Sequence, residues 1–100
     1  CVMNETSTGV RNPIEEIGNV VAEYPDTYFV VDAISALGGD SVDIEASNID
    51  VIFTSVQKAF AMPPGLAVCV VSDAVYEREV EKDAAGWYGG FQRNLDYYDR

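Results

Sequence analysis

Three short runs constrain this chain more than anything else in it: Thr27 to Val31 (TYFVV), Ile49 to Thr54 (IDVIFT) and Leu66 to Val71 (LAVCVV). Each is apolar nearly throughout, rich in β-branched or aromatic residues, and bounded by turn-forming residues. That is the pattern of a buried strand. Strands that do not alternate between apolar and polar need cover on both faces, which is the habit of a mostly parallel sheet with helices on its sides. The predicted fold class is therefore α/β, a mostly parallel sheet segment with flanking helices.

The remaining segments fit that frame. Cys1-Val2-Met3 reads as the end of a further buried strand, and Asn4 to Gly9 as a polar turn. Asn12-Pro13 offers a cap with proline in the first helical position. Glu15 and Glu16 then suit the helix dipole. Ile14, Ile17, Val20, Val21 and Tyr24 form one face at helical spacing, and Pro25 stops the helix. Ser41 to Ile44 is a candidate short strand within an acidic loop. Met62-Pro63-Pro64-Gly65 is a rigid turn. Ser72 or Asp73 caps a second helix reaching about Lys82. Gly86 to Gly90 reads as loop, and Trp87, Tyr88, Phe91, Tyr97 and Tyr98 as an interface or a core face.

Composition removes several chemistries. There is no histidine, so neither a Ser–His–Asp nor a Cys–His nucleophile can be assembled. Two cysteines alone cannot close a tetrahedral thiolate zinc site. They lack framework spacing, and Cys1 and Cys69 fit small apolar positions of strands in a reducing compartment. Seventeen acids against six bases, a net charge of −11, argue against a phosphate-binding nucleic-acid surface. No apolar run approaches the ~18 residues of a membrane span. The expected setting is cytoplasmic.

Two residues stand out for chemistry. Lys58 lies among Val56, Ala59, Phe60, Ala61 and Met62, with no acid between Asp50 and Asp73. Burial disfavours a charged amine, and a neutral amine is what Schiff-base chemistry requires. The plain alternative is a lysine reaching from a strand end to water. Asp32 ends a strand, at the side of an α/β sheet where ligands commonly bind. A buried carboxylate there needs a cation: a protonated pyridine nitrogen, a lysine or a metal. Its plain alternative is a cap or loop aspartate. The hydroxyl-rich turn Thr6-Ser7-Thr8-Gly9 suits an anion or a phenolic oxygen, or simply a turn. Asp40, Asp43 and Glu45 lack the spacing of a calcium loop and read as solvated surface.

The order of these pieces is more specific than any one of them. Asn4-Glu5-Thr6-Ser7-Thr8-Gly9-Val10, then Val31-Asp32-Ala33-Ile34-Ser35-Ala36-Leu37-Gly38-Gly39, then Ser55-Val56-Gln57-Lys58-Ala59-Phe60 and Pro63-Pro64-Gly65-Leu66-Ala67 resemble the class V aminotransferases. The serine–pyruvate / alanine–glyoxylate branch is the most similar. The resemblance spans essentially the whole chain. It implies part of the large domain of a fold type I enzyme that uses pyridoxal 5'-phosphate, acts on small amino acids and 2-oxo acids, and forms a homodimer. It implies that Lys58 is the catalytic lysine that carries the cofactor. Asp32 would face the pyridine nitrogen, Gln57 the phosphate and Thr6 the ring oxygen, while Ile34 packs on one ring face. Gln57 stands where related desulfurases carry histidine, which favours the transaminase branch. Val56 departs from the serine or threonine common at its position.

The family's chains are several times longer. The glycine-containing phosphate turn, the stacking aromatic residue and the arginine for the substrate carboxylate are expected outside residues 1–100, and the segment alone should have little activity. Two other readings stay open. A receiver-like phosphoacceptor module would use Asp32, Thr54 and Lys58, although the paired acids such a domain carries near its start are missing. The other is a non-catalytic acidic binding domain.

Overall fold

A computed structural model describes residues 1–82, 90, 91 and 96. The element order is β1 (Asn4–Glu5), β2 (Val10–Arg11), α1 (Ile14–Val21), β3 (Val30–Asp32), β4 (Val51–Ser55), β5 (Ala67–Val71) and α2 (Asp73–Lys82). Two compact units are present, Cys1–Val70 and Val71–Arg100.

The first unit is built on a sheet of order β3-β4-β5. β3 and β4 are parallel, with Val30, Val31 and Asp32 opposite Val51, Ile52 and Phe53. The first three residues extend the sheet beyond β3. The Cys1 amino group donates to the Val30 carbonyl, Asp32 N–H to the Cys1 carbonyl and Met3 N–H to the Asp32 carbonyl, each at 2.8 Å. The bonding is parallel but amounts to one bridge, Val2 to Asp32, so Cys1 to Met3 lies beside β3 without forming the strand that its sequence predicts.

Register decides the two faces. Residues paired across parallel strands share a face, and successive residues point opposite ways. Met3, Val31, Ile52 and Thr54 are all essentially buried. With Ile14 of α1, Phe29, Ala33, Ala36 and Ile49 the apolar members of this set form the core, and Ile17 and Val21 pack on it. The opposite face leaves Val2 and Val30 exposed. Cover on both faces, expected from the apolar runs, is thus met on only one face within this unit. β5 is exposed along Ala67 to Val70, so Cys69 is exposed, as is Cys1. Neither cysteine is the buried small hydrophobe that its run suggested.

Several boundaries differ from expectation for identifiable reasons. α1 begins at Ile14 with Pro13 in the cap position and no side-chain cap. Asn12 does not cap it, because its carboxamide donates instead to the Val2 carbonyl at 2.6 Å. The helix ends at Val21, before Pro25, leaving Tyr24 in a turn and both Tyr24 and Val20 exposed. Helical spacing placed them on the inner face. The buried positions are Ile14 and Gly18, where helix backbone meets the Ser47 carbonyl directly.

The TYFVV run is strand only from Val30, because Phe29 N–H is taken by the Asp50 carboxylate at 2.8 Å. IDVIFT becomes strand at Val51, one residue after Asp50, and runs to Ser55. Ser41 to Ile44 is not a strand. A single bridge joins Leu37 and Asp40, and residues 44–48 turn. Of the expected Asn4–Gly9 turn, Asn4–Glu5 is instead strand β1, because it pairs with β2, and only residues 6–9 turn, as the tip of that hairpin.

In the second unit α2 starts as predicted. Ser72 Oγ accepts the Val75 N–H at 3.4 Å, and Asp73 lies in the first turn. The Gly86–Gly90 loop (Gly90 apart) and Trp87, Tyr88, Tyr97 and Tyr98 lie outside the described residues.

Candidate active site at the carboxyl end of the sheet

The site begins with Asp32, the last residue of β3, which is half-buried. Its Oδ1 accepts the Ile34 N–H at 2.9 Å, the local aspartate turn that this residue type favours. β4 holds the same turn twice. Ala33 N–H donates to the Phe53 carbonyl at 3.0 Å, and the buried Thr54 Oγ1 donates to the Ile34 carbonyl at 3.2 Å. Among the described residues no cationic side chain is paired with Asp32.

Thr6 reaches this turn from the hairpin. Thr6 Oγ1 donates to Ser35 Oγ at 3.2 Å, and Ser35 Oγ donates to the Asn4 carbonyl at 3.1 Å. Two hydroxyls in series thus tie the hairpin tip to the segment after Asp32. Gly9 closes the tip at φ +69°, its N–H donating to the Glu5 carbonyl at 2.8 Å.

The lysine segment meets the chain a few residues after this turn, at Gly38-Gly39. A tight turn after β4 carries Gln57 and Lys58, with Ala61 N–H donating to the Lys58 carbonyl at 2.9 Å and Met62 N–H to the Val56 carbonyl at 3.1 Å. Ala61 sits at φ +52°, a backbone region uncommon for a residue with a side chain. The next residues abut the glycine pair. A Cβ on Gly39 would lie 3.1 Å from the Ala59 Cβ, and one on Gly38 3.2 Å from the Phe60 ring. The Gly38-Gly39 pair therefore lets the residues after Lys58 approach the segment that follows Asp32.

Asp32 and Ile34 are joined by a hydrogen bond, Thr6 is bonded to the neighbouring Ser35, and Ala59 and Phe60, which follow Gln57-Lys58, pack on Gly38-Gly39. One expectation is corrected. Gln57, Lys58, Ala59, Phe60, Ala61 and Met62 are all exposed, so the apolar neighbours of Lys58 do not bury its amine. They lie along a projecting turn, and Val56 alone of the run points inward, at 3% exposure.

Sequence reasoning missed Ser35, and it gave Thr54 a different role. Neither has a local signal, since each acts on another segment. As 1%-exposed and bonded to a carbonyl, Thr54 is not available to a phosphoryl group, which removes one leg of the receiver-like alternative. The acidic loop is occupied by local structure. Arg11 Nε donates to Asp40 Oδ2 at 2.6 Å, and Asp43 Oδ1 accepts the Ala46 N–H at 2.9 Å. A groove of about 720 Å³ between α1 and this loop contains none of Thr6, Asp32, Ile34, Gln57 or Lys58.

The carboxyl end of an open α/β sheet, where Asp32 and the Gln57-Lys58 turn both lie, is where such domains bind ligands. Likeness to known proteins resolves it further. The family described as aminotransferase class-V matches residues 1–90, and this chain belongs to it. An uncharacterized aminotransferase of Methanocaldococcus jannaschii is 46% identical over 99 residues, covering 98% of this chain and 26% of its own. A phosphoserine aminotransferase structure from Cytophaga hutchinsonii superposes with TM-score 0.78 at 34% identity, over 95% of this chain and 27% of that one. An alanine–glyoxylate aminotransferase from Nostoc gives 0.71 at 32%, over 77% and 19%. The fold is that of a fold type I aminotransferase segment. This chain spans about a quarter of the length of the relatives it matches.

Proposed function

We propose that residues 1–100 are a segment of the large domain of a pyridoxal-phosphate-dependent aminotransferase. The reaction moves an amino group from a small amino acid, such as alanine or serine, to a 2-oxo acid, such as glyoxylate or pyruvate. One observation carries the reading. Asp32 is a half-buried carboxylate at a strand end, fixed through Oδ1 by Ile34 N–H and without a cationic side chain among the described residues, while the Lys58 turn packs against its segment. A ring nitrogen bearing a proton would supply the missing cation.

The residues present fit the cofactor, which when bound supplies an aldehyde and an electron-accepting pyridine ring. Lys58 offers its Nζ to hold the cofactor and to move a proton at the substrate carbon. Its exposure keeps the amine reachable. Asp32 keeps the ring nitrogen protonated, since its charge favours the cationic form. Ile34 would pack on the ring, Gln57 would bind the phosphate and Thr6 would lie near the ring oxygen.

In this reading the intact protein is a cytoplasmic homodimer whose partners are its small substrates, with no nucleic acid and no membrane. A net charge of −11 opposes binding to phosphate backbones. No helix of the described residues is long and apolar enough to cross a membrane.

The test is spectroscopic. The intact protein mixed with pyridoxal 5'-phosphate is expected to develop near-ultraviolet or visible absorbance that Lys58→Ala abolishes. Adding alanine or serine should change the spectrum and glyoxylate or pyruvate restore it. Absorbance unchanged in the alanine variant would sink the lysine assignment.

A further inference from the structure

We infer that Thr54 is a positioning residue for Asp32, acting from a neighbouring strand without touching the ligand. The inference rests on the pyridoxal-phosphate reading. Thr54 is 1% exposed on β4, and its Oγ1 donates to the Ile34 carbonyl at 3.2 Å. The N–H of that same Ile34 donates to Asp32 Oδ1 at 2.9 Å. Between them, Ala33 N–H reaches the Phe53 carbonyl at 3.0 Å. β4 thus holds Ala33 and Ile34 at two points, through the consecutive residues Phe53 and Thr54, and the Ile34 N–H to Asp32 bond closes the segment on itself.

Thr54 faces the core, whereas Asp32 shares the opposite face with its register partner Phe53. The hydroxyl therefore cannot serve as a ligand itself. Its effect is on the plane of the Ile34 peptides, and through the Ile34 N–H on the direction of the carboxylate. An acid that must meet a ring nitrogen at hydrogen-bond distance gains from having one of its oxygens fixed, because a free carboxylate would lose rotational freedom on binding. Thr54 also sets the backbone of Ile34, the residue assigned to the ring face.

The test measures cofactor affinity in the intact protein. Thr54→Val keeps volume and removes the hydroxyl. It is expected to raise the Kd for pyridoxal 5'-phosphate by about 3- to 10-fold, the effect of one hydrogen bond. Thr54→Ser should restore wild-type affinity to within about 2-fold. A positioning role also predicts coupling. In an Asp32→Asn background, where the charge to be aimed is gone, Thr54→Val should add less than about 2-fold.

A Kd within about 2-fold of wild type for Thr54→Val, or the same loss in both backgrounds, overturns the inference and leaves the functional reading intact. Wild-type protein without Lys58-dependent cofactor absorbance overturns that reading, and the inference with it. If the valine variant does not fold, Thr54→Cys replaces it, since a thiol is a weak donor. A loss of at least about 3-fold relative to Thr54→Ser is then expected, and equal affinities overturn the inference.

Discussion

The Phe60 ring lies against Gly38, 3.2 Å from the position a Cβ would occupy, at a glycine whose φ is +94°. This one contact joins the segment that follows Asp32 to the segment that follows Lys58. It makes Gly38 a matter of backbone conformation and of space together.

Gly38→Ala is accordingly expected to destabilise the intact protein by about 1–3 kcal/mol. Gly9, at φ +69° and with nothing within 4 Å of the place a Cβ would take, isolates the conformational part. Gly9→Ala should cost less, about 1–2 kcal/mol. Thermal unfolding of both variants checks the order. Repeating Gly38→Ala in a Phe60→Ala background should recover the steric share and leave the backbone share. Equal costs in the two backgrounds would mean that Phe60 does not crowd this glycine.

Gly18 sits in α1, where a Cβ would come within 1.8 Å of the Ser47 carbonyl oxygen. The neighbour is backbone, so no side-chain rotation can make room. Alanine ordinarily favours a helix over glycine, but here Gly18→Ala must push α1 off the loop. The expected cost is at or above the ~1–3 kcal/mol usual for overpacking. Val20→Ala, at a 58%-exposed position of the same helix, should stay within about 0.5 kcal/mol. A stabilised Gly18→Ala protein would show that the helix stands further from Ser47.

The hairpin tip carries a local pH response. Ser7 donates to Glu5 Oε1 through both Oγ, at 2.7 Å, and its backbone N–H, at 3.0 Å. The hydroxyl first, then the N–H, holds the Glu5 carboxyl below its ordinary value. A lowered folded pKa means that this stabilisation is present above the ordinary glutamate pKa and is lost as pH falls through the lowered value. A carboxyl NMR titration should place Glu5 below the ordinary glutamate value, and Ser7→Ala should raise it. No movement in that variant would remove Ser7 as the cause.

Much of this was legible in the residues, and what was not has a common cause. The apolar runs announced β3, β4 and β5, and the serine before Asp73 announced α2. Asp32 and Lys58 were visible as a strand-end acid and a lysine in an acid-free stretch. Boundaries slipped where a side chain outcompeted local propensity. Asp50 takes the Phe29 N–H and delays β3, and Asn12 spends its carboxamide on Val2 rather than on the helix. The inner face of α1 was misjudged at Val20 and Tyr24 because Gly18, a residue without a side chain, is the point of closest approach.

By itself, then, the sequence determined the kinds of element, their order, and the placing of an acid and a lysine at strand ends, because periodicity and turn chemistry act over a few residues. Tertiary structure alone decided which segments meet there. Thr54 reaches Ile34 across 20 residues and Thr6 reaches Ser35 across 29, while Gly38 admits Phe60. Such contacts depend on strand register and on the absence of a Cβ at one position, and no local pattern encodes either. The exposure of Lys58 was decided there too. Its neighbours are apolar, but the turn that carries them projects from the sheet, so burial followed from position and not from composition.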